Sequence, residues 1–451
     1  MARTAQTQSD DVTTDIKTNA SVHTREIRTG NSSPVEDART PDAFDNDIAI
    51  RPNAPQELPA LLSRVTDLGA SYAQNEDEDV RADYLDAARH LVYALETPRE
   101  AMIRYCWSQS TLYAAIETCV DLGVFVLLSE DTPKTAAELA KATHADTLLL
   151  SRLLKHLSTM GVIVEASEDT YRANGFSKSL SNKRYSDAYP CMTNCITYGI
   201  TCLPSFLKRT NYANPSNGCH AAFQDGYRTD KHFFEFLKEH PTYGTEFNNH
   251  MTAYHQGRPS WMDEGFYPVS SLMEGLNINA DDVLLVDVGG NVGHDLSEFR
   301  RKWPSIPGRL ILQDLPEVIE QAKWQNQAIQ GTIEPMSHDF FTEQPVKGAR
   351  AYYMHSVLHD WADADCQRIL SNLVSAMKRG YSKILINENV IPSTHAYWET
   401  TSLDIIMMAD FASQERTEKQ WHALVKSVGL KIVKIWTRRR GVESLIECEL
   451  A

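Results

Sequence analysis

An apolar run, Val283-Leu-Leu-Val-Asp287-Val288, leads straight into Gly289-Gly290-Asn291-Val-Gly293. Glycines at such a turn let the backbone reverse sharply and approach a ligand closely. A second apolar run ends in Gln313-Asp314-Leu315-Pro316, where a carboxylate is placed to accept hydrogen bonds from both hydroxyls of a ribose. Together they describe a nucleoside-binding edge, and two cofactors fit it. The dinucleotide pattern G-x-G-x-x-G wants glycine where Asn291 stands. Asp287, two residues ahead of the first glycine, suits a cationic ligand such as an adenosylmethionine-type cofactor. Residue type favours the second; the loop alone leaves both open.

Cys191, Cys195 and Cys202, with Cys219 beyond them, are the other cluster of reactive side chains. They lack paired C-x-x-C or H-x-x-x-H spacing. They read as reduced, half-buried thiols, and no metal is expected.

From Asp282 onward, short β-type runs alternate with helical stretches: VLLVDV, GHDLSEFRRKW, GRLILQDL, PEVIEQAKWQNQA, TIEPMSHDF, ARAYYMHSV, DADCQRILSNLVSAMK and SKILINENVI. Alternation of this kind predicts an α/β fold, a doubly wound parallel sheet with helices on both faces. Ligands of such sheets bind beyond the C-terminal strand ends. The closing runs KIVKIW and ESLIECEL lie close enough in the chain for an antiparallel hairpin at one side.

Ahead of the sheet the pattern is helical. Leu58, Leu61, Leu62, Val65 and Leu68, then Leu85, Ala88, Leu91 and Leu95, recur at helical spacing, and the acidic run NEDEDVRAD between them reads as a connection. TLYAAIETCVDLGVFVLL predicts an amphipathic helix stopped at Gly123. TPKTAAELAKATHADTLLLSRLLKHLSTMG predicts two helices with a turn at His144–Asp146 and a stop at Gly161. VIVEASEDTYRA then gives two short strands around Ser167–Asp169. Three helices and a hairpin outline a winged helix, which can read DNA through its second helix. That helix offers only Arg152, Lys155 and His156, too little for a phosphate-lined groove. A scaffold or dimerisation role suits its Leu-rich face better.

The chain has 451 residues, 42% hydrophobic and 23% charged, and a formal net charge of -16. That length holds more than one domain, and that charge weighs against nucleic-acid or anionic-membrane partners. No apolar stretch approaches the roughly 20 residues of a membrane span, and the N-terminus lacks the apolar core of a signal peptide, so a cytoplasmic location is expected. Residues 1–50, rich in Thr, Ser, Asp and Asn, read as a disordered tail. The aromatics between 185 and 270, from Tyr189 to Tyr267, are either plain core or the walls of a flat apolar pocket.

Four further motifs follow in order: Ser337-His338-Asp339-Phe340-Phe341, then Tyr353-Met-His355-Ser-Val-Leu-His359-Asp360-Trp361, then Ile386-Asn387-Glu388-Asn389, then Gln414-Glu415-Arg416-Thr417. Their order and spacing resemble the plant-type (caffeate and flavonoid) O-methyltransferase family, especially its fungal secondary-metabolite members, over roughly Tyr93 to Leu450. The resemblance implies a Rossmann-like class I sheet behind a winged-helix dimerisation domain. The chain then divides into a tail (1–50), a helical dimerisation domain (51–185), a helical substrate-pocket linker (186–275) and a catalytic domain binding S-adenosyl-L-methionine (276–451). It further implies a homodimer and a small aromatic acceptor.

By the same resemblance, His359 is the general base, flanked by Glu388 and Glu415, with Asp360 beside it. An imidazole near its unperturbed pKa of about 6.5 would draw the proton from a phenol near 10 as the methyl arrives. Cofactor contacts fall to Asp287, Gly289, Gly290, Asp314, Leu315, Asp339, Phe340, His355 and Trp361. The family usually carries Lys where His355 stands, and Asn291 replaces the third glycine of its loop; the first departure removes a permanent cation. Some members of this fungal group run pericyclic or dehydration chemistry on the same fold, so that alternative stands beside methyl transfer. The presence of the whole set His359, Asp360, Glu388 and Glu415 argues for transfer.

Overall fold

Asp77 decides where the second N-terminal helix begins. Its carboxylate accepts hydrogen bonds from the backbone N–H groups of Asp79 and Val80, satisfying donors that a helix start leaves idle. The acidic run expected to be a connection is therefore mostly helix. Helices Leu58–Asn75 and Glu78–Leu95 are separated only by Glu76 and Asp77, and the acids of the first turn complement the helix dipole.

The computed structural model describes residues 49–451 apart from 131, 255, 277–281 and 326–330. Most of the 1–50 stretch expected to be disordered thus lies outside the described residues.

The winged-helix outline is present. Gly123, at φ 70°, separates helices Gln109–Asp121 and Val124–Leu128. Helices Ala136–Thr143 and Thr147–Thr159 meet at His144, itself left-handed. β1 (Lys134–Thr135), β2 (Ile163–Ser167) and β3 (Thr170–Ala173) form the wing, in the order β1-β3-β2. Leu139, Leu150, Leu154, Leu157 and Tyr171 pack its core. Lys155 is spent on Asp169 at 2.8 Å and His156 meets the Thr111 hydroxyl at 3.0 Å, so two of that helix's three basic groups are engaged within the module.

The main sheet contains β4 (Val283–Val288), β5 (Arg309–Asp314), β6 (Ile333–Ser337), β7 (Ala351–His355), β8 (Lys383–Glu388), β11 (Leu430–Trp436) and β12 (Ser444–Leu450), in the order β11-β12-β8-β7-β4-β5-β6. The pairs from β8 through β6 are parallel, whereas β12 is antiparallel to both β8 and β11. The closing hairpin therefore slots its last strand in beside β8. The chain leaves β4 toward β5 and β6, then crosses to β7 and β8 on the other side, so the switch point lies at the C-terminal end of β4. A two-strand pair, β9 (Val390–Ile391) with β10 (Arg416–Thr417), sits next to the end of β8.

Apolar layers cover both faces. One holds Leu285, Leu296, Phe299, Leu310 and Leu385 with Trp261, Phe266, Tyr267 and Leu272, so chain from Trp261 onward already belongs to the sheet's core. The other holds Val286, Ile311, Ile369, Ile386, Trp421 and Ile446. A third core, of Cys191, Cys195, Phe223, Phe233, Phe236, Met407 and Phe411, joins the middle helices to the segment before β10. Most aromatics of the 185–270 stretch are core; Tyr198 and Tyr212 are exposed. Among the described residues no helix is long and apolar enough to cross a membrane.

Candidate active site

The glycine turn is pinned by its neighbour strand. Gly289 and Gly290 both donate their N–H to the Gln313 carbonyl, at 2.9 and 3.1 Å, and the Asn291 N–H reaches Asp314 Oδ2 at 2.8 Å. Gly289 has φ 74°, and a Cβ there would stand 3.0 Å from Val357 Cγ2 and 3.6 Å from the Phe340 ring. At Gly290 a Cβ would fall 2.4 Å from the Asp287 carboxyl carbon. These two positions require glycine. Asn291, at φ 51°, is the side-chain type best tolerated in that region, so its substitution into the loop carries little strain.

Asp287 lies beneath the turn, 1% exposed, and neither carboxylate oxygen has a hydrogen-bond partner among the described residues. Burial, reinforced by Asp295, holds its pKa well above the usual carboxylate range. A buried acid without a partner is a costly feature, and one that a nearby cationic ligand relieves. Asp314, also raised by burial, accepts the Leu315 N–H at 2.7 Å with its second oxygen. Leu315 and Asp339 are exposed at the strand ends, and Asp339 caps its own turn through the Phe341 N–H at 2.9 Å.

An aromatic wall closes this edge. Phe340 and Phe341 meet Trp361 edge-on, at 6.0 and 4.8 Å between ring centres. On Trp361's far side His232 lies parallel at 4.8 Å, and Phe234 packs at 6.3 Å. Helix Phe233–Glu239 therefore rests on the wall, and its Lys238 reaches Glu317 at 2.6 Å, in the first turn of the helix that follows Asp314.

His355 ends β7 with both ring nitrogens occupied by carboxylates: Nδ1 at 2.6 Å from Asp295 and Nε2 at 3.1 Å from Glu443. Two carboxylates facing one imidazole favour its doubly protonated, cationic form. Burial opposes that charge, but Asp295 and Glu443 overcome it and lift the pKa well above the histidine range. The cation expected to be lost with the family's lysine is thus restored in another form. Arg258, stacked over Tyr254 at 4.0 Å and paired with Glu399, lies 3.6 Å from Glu443.

His359 is 8% exposed, in the short turn Leu358–Asp360 after β7. The two flanking glutamates do different work. Glu415 Oε1 lies 2.7 Å from Nδ1 and holds the ring. Glu388 Oε1 instead accepts the backbone N–H groups of Val357, Leu358 and His359, at 2.9, 2.8 and 3.3 Å, leaving Oε2 3.9 Å from Nδ1. Asp360 Oδ1 is 3.5 Å from Nε2. Burial alone would depress the imidazolium; Glu388, Asp360 and Glu415 together reverse that and raise it well above the usual histidine range. Asp360 is in turn pushed by burial up to about 7. The premise of a base near its unperturbed pKa therefore does not describe this cage.

His359, Glu388 and Glu415 place one donor atom each within 4.8 Å of one another, a spacing that also fits a cation. With Nδ1 committed to Glu415 and Oε1 of Glu388 to three N–H groups, the arrangement is that of a held imidazole. The eight cysteines are all free, with Cys191 and Cys195 packed Sγ to Sγ at 3.7 Å inside the core.

Sequence reasoning missed Asp295, Glu443 and the buried amide pair Gln313–Gln344, joined at 2.9 and 2.8 Å. Only Asp295 left a signal, as an acid in the first turn after the glycine loop.

Residues 105–183 match the family model of the O-methyltransferase dimerisation domain, and residues 268–431 that of the O-methyltransferase domain. O-methyltransferase mpaG of Penicillium brevicompactum is 36% identical over 397 residues, 87% of this chain and 99% of the relative. A solved structure described as a pericyclic reaction enzyme is 30% identical with a TM-score of 0.79, over 88% of this chain and all of that one. The structure of OxaC in complex with sinefungin and meleagrin is 26% identical with a TM-score of 0.76, again over 88% of this chain and all of that one.

Proposed function

Because the chain belongs to the O-methyltransferase family, carrying its dimerisation domain and its catalytic domain in order, we propose that it methylates a hydroxyl of a small aromatic secondary metabolite with S-adenosyl-L-methionine, using His359 as the base. The observation that carries this reading is the cage: a buried imidazole held at Nδ1 by Glu415, two residues before the Trp361 wall and two after Val357, which packs on the glycine turn.

The residues present fit the cofactor. Asp287 offers an unpartnered carboxylate under the turn, Asp314 stands at the end of β5 for a ribose, and Phe340 and Trp361 form apolar walls. Leu315, Asp339 and the Gly289–Gly290 backbone complete the pocket, with His355 keeping Asp295 and Glu443 neutralised behind it. When bound, S-adenosylmethionine supplies an activated methyl group on a sulfonium.

His359 removes the acceptor's hydroxyl proton at Nε2 as the oxygen attacks, and Glu415 steadies the resulting imidazolium through Nδ1–H. Glu388 fixes the turn that carries the ring, and Asp360, 3.5 Å from Nε2, offers a route by which the proton leaves. The aromatic helices between 186 and 275 exclude water from the attacking oxygen. Exposed Leu62, Leu85, Val92, Tyr93, Leu95, Met102, Tyr105 and Trp107 give the N-terminal helices an apolar face suited to a second copy of the chain.

The likeness to a pericyclic reaction enzyme supports a second reading, in which the same fold binds the cofactor without spending it. Methyl-labelled S-adenosylmethionine with a panel of phenols and N-hydroxyindoles separates the two. We expect label in the product and a loss of about 100-fold or more in His359→Ala, the usual scale for a general base, with cofactor affinity kept. Unchanged turnover in that variant overturns the base assignment; conversion of an acceptor with the label still on the cofactor establishes the second reading.

A further inference from the structure

The peptide unit joining Leu358 to His359 is gripped at both ends. Its N–H donates to Glu388 Oε1 at 3.3 Å, and its carbonyl accepts from Arg416 Nη1 at 2.9 Å. Arg416 Nη2 also reaches the Trp361 carbonyl at 2.9 Å, while Nε and Nη2 hold Asp363 Oδ1 at 3.0 and 2.8 Å. Cys366 Sγ lies 3.3 Å from Nη2, and the Trp421 ring lies 5.3 Å from the guanidinium carbon.

The side chain is fully buried, and its one ion-pair partner among the described residues, Asp363, is 54% exposed. Removing a guanidinium from water is costly unless its donors are well used. Here a planar fork spans two carbonyls that flank the turn, a geometry that an ammonium, as a point donor, does not reproduce. The neighbouring residue in sequence, Glu415, holds the ring of the same histidine. Arg416 pairs with Val390 in the β9–β10 ladder, two residues past Glu388, so both grips are anchored to one short piece of sheet.

We infer that Arg416 is a positioning residue: it fixes the turn Leu358–Trp361 so that His359 meets Glu415 and the acceptor while Trp361 faces the cofactor. This rests on the reading of His359 as base, but its first test does not use turnover. In protein labelled with 15N only at histidine, the ring nitrogens of His359 are titrated in wild type, Arg416→Lys and Asp363→Asn; His359→Ala identifies the signal.

Glu388, Glu415 and Asp360 face the ring, and their hold depends on its placement. In Arg416→Lys the His359 titration is expected to fall by about one pH unit or more, the equivalent of about a tenfold change in proton affinity, and Asp363→Asn should give a smaller shift in the same direction. With a phenol from the panel that takes up labelled methyl, kcat should fall about 10–100-fold, the scale of a small misplacement of reacting groups, with acceptor KM changed less than about threefold. A folded Arg416→Lys with unmoved titration and kcat overturns the inference. So does a loss confined to melting temperature. Should Arg416→Lys fail to fold, Asp363→Asn decides by the same two readings. Should His359→Ala keep full turnover, the base reading fails, while the titrations still judge the clamp.

Discussion

Glu415→Gln keeps the size of a side chain that touches His359 at 2.7 Å and removes its charge. Three carboxylates face the imidazole: Glu415 at 2.7 Å, Asp360 at 3.5 Å and Glu388 at 3.9 Å. Against burial, they hold the cation well above the usual histidine range. The amide oxygen still accepts from Nδ1–H, but loss of the adjacent negative charge, about 1.5–3 kcal/mol, lowers the His359 pKa by about 1–2 units. The sign is fixed by the role: the base must be neutral to take a proton. In wild type the ascending limb of kcat/KM should therefore lie above about 6.5, the ordinary histidine value. In the variant it should move about 1–2 units toward acid. The plateau should fall by about 10–100-fold, because the same 1.5–3 kcal/mol no longer stabilises the imidazolium as it forms. The deficit is then smallest at low pH and largest at high pH. Transfer of labelled methyl from about pH 5 to 10 reads both features. A plateau that drops while the limb stays in place, or a limb that moves toward base, would refute the reasoning.

Asp314→Ala removes the acceptor that also ties the Asn291 and Leu315 N–H groups; calorimetry should show weaker cofactor binding, and equal affinity would misplace the ribose. His355→Gln leaves Asp295 and Glu443 facing a neutral partner. Urea unfolding near neutral pH should show a loss toward the lower end of about 3–5 kcal/mol, since both carboxylates keep some exposure, and His355→Lys should recover much of it. Asp410 is fully buried, without a hydrogen-bond partner among the described residues, and burial raises its pKa well above the carboxylate range. Its folded pKa exceeds its unfolded one, so it lowers stability as pH rises above about 4. Asp410→Asn should match wild type in acid and gain on it by about 1.4 kcal/mol per pH unit above that, up to the folded pKa; a constant difference across pH would contradict this.

What could be read in the sequence was what depends on neighbours in the chain. Gly123, His144 and Gly161 end helices at left-handed positions that their residue types tolerate, and the run from Val283 to Gly293 announced a strand and a tight turn together. The acidic run after Asn75 misled because charge density resembles a linker, whereas Asp77 used it as a cap. The division of labour between Glu388 and Glu415 was out of reach. Both are acids near strand termini, and only the backbone path decides which meets three N–H groups and which meets a ring. His355 was read as a lost cation because its partners lie 60 and 88 residues away. The proton affinity of His359 is likewise a property of three carboxylates brought together by folding.

Helix Phe233–Glu239 touches both halves of the site: His232 and Phe234 lie on Trp361, Lys238 bridges to Glu317, and Phe233 and Phe236 sit in the core shared with Met407 and Phe411. In mechanical terms, these seven residues tie the Trp361 wall to the helix after β5 and to the core that ends before β10. A displacement of this helix therefore disturbs the aromatic wall and that core at once.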